Sequence, residues 1–458
     1  MKLTLLKTSA VGLAICAVMV FAISEERRPL LMLVNFGAFA AIFLGGSIFC
    51  LALLTILRKI RRRTANKEST LPRTARAGDL LASLRFMIVF LLGFSVYFYD
   101  NSSPREIAWG DQFRYTYRQP EQTGDGWSTS TLEAEGLQPA VFEHLLRDLV
   151  THDEYKGIHS LLIARHGKLV LEEYFYDQHK DLPHPLRSAN KSLTSALIGI
   201  ALDEGLIRSV DDPIVSYFPE IRHSPRWDTA KEAITIRHLL TMSGGLDAND
   251  WDRDSPGNEE RLYALEESWT QFYLDLPQVH PPGEVYAYST GGEMVLRDLI
   301  TRVSGISLQE YAASRLLAPL GITSTAWHRY AYGRDDLPVR LDLTSREMLK
   351  LGQVYLDDGI WNGRAVISPA WVRESTALSQ TVPDKGLGDP GYGYLWWKHH
   401  FEVDAQPVDS YAAQGSGGQF IFVVPAVDMV VVFTQGNYQS RRRTNPLRLM
   451  REVILPSL

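Results

Sequence analysis

The run from Leu30 to Leu57, LLMLVNFGAFAAIFLGGSIFCLALLTIL, carries no charged side chain, and Asn35 is its most polar group. It exceeds the roughly 20 apolar residues that a helix needs to cross the hydrocarbon core of a bilayer. A buried core helix of that length is a poor alternative, so the run is expected to span a membrane. Leu80 to Tyr99 is a second candidate, with Arg85 close enough to its start to snorkel to the interface. Thr8 to Ile23, behind Lys2 and Lys7, reads as a first span or as the apolar core of a signal peptide. Its flank, FAISEE, is a poor cleavage site, which favours a retained helix.

Charge orients these segments. Arg58 to Asp79, RKIRRRTANKESTLPRTARAGD, sets eight Lys and Arg against Glu68 and Asp79. The positive-inside rule makes this loop cytoplasmic, whether or not the first segment is cleaved. A lipid bilayer is therefore an expected partner. Everything after Tyr99 is expected on the periplasmic or extracellular side, as in a bacterial inner-membrane protein. With almost no intramembrane charge, residues 1–99 make a poor transporter and a reasonable anchor of about three helices.

Residues 100–135, polar and rich in Gly, Ser, Thr and Pro, read as a linker, and residues 136–458 as one globular unit. LQPAVFEHLLRDLV has helical apolar spacing. IHSLLIARHGKLVLEEYFY reads as a hairpin about His166-Gly167, and QFIFVVPAVDMVVVFTQG as two strands about Pro425-Ala426. PLRLMREVIL closes the chain as a helix. Strands at both ends with helices between suggest an α/β unit in which one antiparallel sheet is assembled from the two ends, with a helical insert. The net charge of −6 offers no basic face for nucleic acid. The two cysteines, Cys16 and Cys50, leave the outer domain without a disulfide framework or a thiolate metal site. The adjacent His399 and His400 cannot both face one site on a strand, and no metal or cofactor is implied.

Within HPLRSANKSLTSALIGIALDEGLI, Ser188 precedes Lys191 by three residues at the mouth of an apolar helix. At that spacing the two side chains share one helix face. A serine hydroxyl needs a base to become a nucleophile. A lysine can be that base when its pKa is lowered toward neutrality. The helix start would favour a developing oxyanion. Alone the motif is weak, since on the order of one or two Ser-x-x-Lys matches arise by chance in such a chain. An N-cap serine beside a surface lysine is the plain alternative.

Two further stretches change the balance. PPGEVYAYSTGGEMVLRDLITRVSG places Tyr288-Ser289-Thr290 before an amphipathic helix. YAAQGSGGQFIFVVP places Ser416-Gly417-Gly418-Gln419 in a glycine-rich turn leading into a strand. With these, the chain from about Leu132 onward resembles the serine β-lactamase-related hydrolases: class C β-lactamases, D-alanyl-D-alanine carboxypeptidases, serine esterases and 6-aminohexanoate-dimer hydrolases. ITIRHLLTMSGGLD, YGYLWW and GGQFIFVVPAVDMVVVF strengthen the likeness. The resemblance implies an α/β sandwich, an antiparallel sheet flanked by helices, with an all-α subdomain and the active site between them. It casts Ser188 as the acylated nucleophile, Lys191 as its proton acceptor and Tyr288 as the second acid/base. Tyr286 is a rival for that last role. The turn matches the third motif, and the backbone N–H groups of Gln419 and Ser188 would form the oxyanion hole.

Two departures bear on substrate. Thr290 stands where the family's second motif usually has Asn, and Ser416 where the third usually opens with Lys or His. Without that cation a substrate carboxylate loses a charge-assisted contact worth about 1.5–3 kcal/mol, which favours small uncharged esters or amides over β-lactams and D-Ala peptides. An arginine elsewhere could replace the missing cation. Trp251, Trp396 and Trp397 are candidates for an apolar acyl pocket or for plain core packing. A catalytically silent ligand-binding or scaffolding module is the alternative from a different class, and the joint presence of Ser188, Lys191 and Tyr288 argues against it.

Overall fold

The computed structural model describes residues 115–458, apart from 153–154, 156, 264–267, 324, 329–339, 383–389, 404–405 and 439–444. The three apolar segments, the basic loop and the start of the linker lie outside the described residues. Among the described residues no helix is long and apolar enough to cross a membrane.

The main sheet is nine-stranded. Its strands are β1 (Ser128–Thr129), β2 (Ile158–Arg165), β3 (Lys168–Tyr174), β4 (Gln380–Thr381), β5 (Gly391–Tyr392), β6 (Trp397–Val403), β7 (Gln406–Gly415), β8 (Gln419–Val424) and β9 (Met429–Gln435). The order is β1-β3-β2-β9-β8-β7-β6-β5-β4, so the two ends of the chain meet at the β2–β9 pair, where Met429 faces Arg165. Both expected hairpins form. His166 and Gly167 take φ of 48° and 70°, the two positive values that match a two-residue turn to the twist of its strands. The sheet is mixed rather than wholly antiparallel, because β1 lies parallel along the outer edge of β3.

Strand β9 shows why its sequence, MVVVFTQ, lacks polar alternation. Val430 and Val432 enter one core with helix α2 (Asn190–Asp203) and helix α5 (Ser345–Leu356), while Met429, Val431 and Phe433 enter a second core. Helix α1 (Pro139–Thr151) and the C-terminal helical stretch from Pro446 to Ser457 cover that second face. A strand buried on both faces reads as a continuous apolar run.

Two expectations need correction. The linker ends earlier than residue 135, because its aromatic residues bury themselves in the domain. Tyr117 donates to Val170 O at 2.8 Å, Trp127 to Arg346 O at 3.3 Å, and Leu132 is fully buried. Nor is the insert all helical. His184–Pro185, Ala326–His328 and Arg340–Leu343 pair into a small sheet, and Ile360–Trp361 pairs with Arg364–Ala365. The rest of the insert between β3 and β4 is mainly helix, including α3 (Trp269–Asp275) and α4 (Thr290–Ser304).

Candidate active site

Ser188 lies in a tight turn, Arg187–Ala189, that runs directly into α2. The plain N-cap explanation does not describe it: the cap of α2 is Ala189, with no side-chain capping bond. Arg187, immediately before the serine, takes φ of +53°, a left-handed conformation uncommon for a residue with a side chain. Its guanidinium sits 4.6 Å from the centre of the Tyr438 ring. From Asn190 to Ala201 every residue of α2 is buried, so the helix is a core element and Lys191 cannot be a surface lysine.

Tyr288 reaches the same point from α4. Ser289 caps that helix by accepting from Gly292 N at 3.3 Å, which leaves Tyr288 in extended chain just ahead of it. The neighbouring backbone is pinned by Ala287 N to Met242 O at 2.8 Å, within the TMSGG stretch. The Ser188 hydroxyl bears on the Tyr288 phenol, favouring its ionised form, and the Lys191 ammonium lies 5.3 Å from the centre of its ring. Tyr286 is turned away. It packs edge-on against Tyr392, and its buried hydroxyl has no hydrogen-bond partner.

The electrostatics separate the two titratable groups. Burial pushes the Tyr288 phenol up, and although Lys191 and the Ser188 hydroxyl pull it back, it stays above the ordinary tyrosine range. Burial alone would lower the Lys191 pKa. Tyr288, Glu293, Asp250 and Glu259 outweigh it and hold the ammonium above the ordinary lysine range. A lysine that accepts the serine proton needs the opposite shift. Lys191 is thus placed as a positive charge beside the Tyr288 phenol, which its ammonium pulls toward the ionised form.

Thr290 begins α4 and is buried. Its hydroxyl accepts from Lys191 Nζ at 3.1 Å and donates to Asp250 Oδ2 at 2.7 Å. The sequence reading missed Asp250 and Glu259. Both sit in DANDWDRDSPGNEER, an acid-rich Gly/Pro segment indistinguishable by composition from a solvated loop. Glu293, also missed, is fully buried, accepts from Thr194 Oγ1 at 2.6 Å and pairs with Arg297. A buried acid one turn into an apolar helix was the one available signal.

Of the three tryptophans, the structure brings two to the site. Trp251 stacks on Tyr288, with ring centres 5.5 Å apart and planes within 3°. Trp397 stacks on Tyr288 at 5.9 Å and meets Tyr392 edge-on at 5.0 Å. Trp251 is 39% exposed and Tyr288 only 8%, so Trp251 forms the outer wall. Trp396 goes the other way, into the core against Tyr355 and Tyr411.

The glycine-rich turn joins β7 to β8. It meets the serine segment through Gly415, where an added Cβ would lie 2.2 Å from Leu186 O and 3.0 Å from Arg187 Cβ. No larger residue fits there. Gln419 pairs with Gly415 across the hairpin, and its side chain is locked onto Gln435, donating to O at 2.7 Å and accepting from N at 3.0 Å. Gly417 and Gly418 have φ of 90° and 102°, and Ser416 is exposed at the tip. His399 is buried and His400 exposed, on opposite faces of β6. Among the described residues no group of His, Cys, Asp and Glu is arranged to hold a metal ion.

The family model described as Beta-lactamase matches residues 142–453, which contain every residue of this site. The chain belongs to the Beta-lactamase family. It is a serine hydrolase of the β-lactamase-related superfamily. It is similar to the 6-aminohexanoate-dimer hydrolase of Paenarthrobacter ureafaciens, 24% identical over 63% of this chain and 74% of the relative. It is 30% identical to lovastatin esterase of Penicillium rubens over 38% of this chain and 46% of that enzyme. Among solved structures, a family VIII carboxylesterase matches with a TM-score of 0.54 at 17% identity, covering 69% of this chain and 96% of the other. A penicillin-binding protein homolog from Caulobacter crescentus matches at 0.53 and 18%, covering 70% and 97%. These structural likenesses concern the fold.

Proposed function

We propose that the domain hydrolyses small uncharged esters or amides through an acyl-enzyme on Ser188. The observation that carries this reading is the convergence of Ser188 and Lys191 on Tyr288, with the ammonium 5.3 Å from the centre of the phenol ring. Tyr288, as the phenolate, takes the Ser188 proton while Oγ forms a bond to the substrate carbonyl carbon. The tetrahedral oxyanion is met by the Ser188 N–H and by the turn that begins at Gly415. Its collapse breaks the bond to the leaving group, which receives the proton from Tyr288. Water then attacks the acyl carbon, Tyr288 takes the water's proton, and the proton returns to Ser188 as the acid departs. Lys191 remains an ammonium throughout and stabilises the phenolate.

Trp251 and Trp397 form the apolar wall for the acyl group, and the neutral Ser416 disfavours a carboxylate beside the scissile bond. Two relatives, a 6-aminohexanoate-dimer hydrolase and a lovastatin esterase, are in keeping with a small-molecule substrate. We further infer from the apolar segments and the basic loop that residues 1–99 anchor the enzyme, with its hydrolase domain on the periplasmic or extracellular side.

Labelling tests the nucleophile. Membranes carrying the full chain, exposed to a fluorophosphonate and separately to a fluorescent penicillin, should label with the first and only weakly with the second. Ser188→Ala should abolish the label without changing expression. A label that persists, or maps to Ser192 or Ser195, overturns the assignment. Both rivals are poorly placed: Ser192 donates to Leu395 O at 2.6 Å, and Ser195 is fully buried.

A further inference from the structure

We propose that Asp250 is the positioning residue for Lys191, acting through the Thr290 hydroxyl in a Lys191–Thr290–Asp250 relay. The proposal rests on the reading of Ser188 and Tyr288 given above. It explains what a threonine does in a motif where related enzymes carry an amide. A hydroxyl has one proton to give. In Thr290 that proton points to Asp250 Oδ2 at 2.7 Å, with Glu259 Oε2 farther off at 3.4 Å. The lone pairs are thereby left for Lys191 Nζ at 3.1 Å.

Asp250 is itself held by further bonds, among them one from Asn258 Nδ2 to its carbonyl oxygen at 3.0 Å. Oδ2 also accepts from Thr290 N at 2.7 Å, an anion on the first N–H of α4, and Oδ1 accepts from Glu259 N at 3.1 Å. Its own N–H donates to Tyr288 O at 2.8 Å. One residue thus ties the 249–259 loop, the start of α4 and the backbone of the proton-accepting tyrosine together. Trp251, the next residue, is carried by the same loop onto the face of Tyr288.

The charged and titratable groups facing this relay come from every neighbouring element. Lys191 on α2 meets Tyr288, Glu293, Asp250 and Glu259. Asp250 in turn influences Tyr273 on α3 and Tyr286. Glu293 is engaged by Thr194 and Arg297, and Tyr263 donates to Glu259 Oε2 at 3.1 Å. Asp250 is the carboxylate that shares a hydroxyl with the lysine at the shorter distance. Burial pushes it up to about 6 against the pull of Lys191, so its charge is present at neutral pH and lost in mild acid.

The test compares Asp250→Asn, Thr290→Val and Thr290→Ser with wild type in the full chain, on a neutral nitrophenyl ester across pH 5 to 10. Asp250→Asn should lower kcat at pH 8 at least tenfold with KM within about twofold. It should erase the fall in kcat/KM near pH 6 and bring the alkaline limb to lower pH, as Lys191 loses an opposite charge. Thr290→Val should reproduce the kcat loss, and Thr290→Ser should keep wild-type behaviour. A wild-type pH profile in Asp250→Asn, or equal activity in the valine and serine variants, overturns the proposal. Should Asp250→Asn fail to fold, the Thr290 pair decides alone. Ser188→Ala is run beside them. Turnover surviving there overturns the nucleophile and this relay together, whereas a dead Ser188→Ala with an unaltered Asp250→Asn profile overturns the relay only.

Discussion

The Lys191 ammonium faces the Tyr288 ring at 5.3 Å, and each group pulls the other toward its charged form. That mutual bias divides the labour between the two residues. The lysine is held protonated by four neighbours, and in the proposed mechanism the tyrosine moves the proton. Replacing Tyr288 with Phe should cut kcat/KM by about 10²- to 10⁴-fold, the usual worth of a positioned acid/base, with the fold intact. Tyr286→Phe should leave turnover near wild type, because that hydroxyl touches no partner. Equal losses in the two variants would return the role to Tyr286. Single-turnover kinetics on a nitrophenyl ester make the comparison.

Asp250 also links the site to stability. Its pKa is raised from 3.8 to about 6, first by burial, so the folded state favours the neutral acid. The stabilisation it gives is complete below the unfolded value and disappears as pH rises through the folded one. The stability of wild type minus that of Asp250→Asn should therefore fall between about pH 4 and pH 6 and stay level above. Thermal unfolding at several pH values reads it. A difference that grows across that window would mean the carboxylate is favoured in its charged form.

The neutral tip of the third motif bears on selectivity. For a matched substrate pair differing only in a free or methylated carboxylate, wild type should prefer the methyl ester. Losing one charge-assisted contact of about 1.5–3 kcal/mol corresponds to roughly one to two decades in kcat/KM. Ser416→Lys should narrow or invert the ratio. A wild-type preference for the free acid would point to Arg187, whose guanidinium lies over Tyr438 beside this turn, and would leave the roles of Ser188 and Tyr288 standing.

Topology predicts where a protease can cut. Because the domain already engages Tyr115 and Tyr117, cleavage of intact spheroplasts should fall between Asp100 and Arg114 and release the hydrolase whole. Protection of the domain until the membrane is permeabilised would reverse the orientation inferred from the basic loop.

The β2–β3 hairpin, the β8–β9 pair and their assembly from the two chain ends were legible because short apolar runs bounded by turn residues are local signals. The edge strand β1 was not, since two residues of unremarkable composition gain their place only from β3. At the site, Ser188, Lys191 and Tyr288 were readable because spacing and motif order carry them. Asp250 and Glu259 were not: their importance lies in where a loop lands, and nothing in an acid-rich segment says which carboxylate will face a buried lysine. The turn after β7 was found one residue late. The adjacent glycines at 417 and 418 mark the turn in the sequence, while the close approach to the serine segment is made by Gly415.

The pairing of Arg165 with Met429 has a consequence for biogenesis. During synthesis β2 emerges long before β9, the strand that fills its open edge. Until the last segment has left the ribosome, the central seam of the sheet is missing and its apolar faces stay uncovered. Such distant pairing is slow and exposes the nascent chain to aggregation. The growing polypeptide must wait half-made, and a chain truncated before Met429 lacks the strand that closes the sheet.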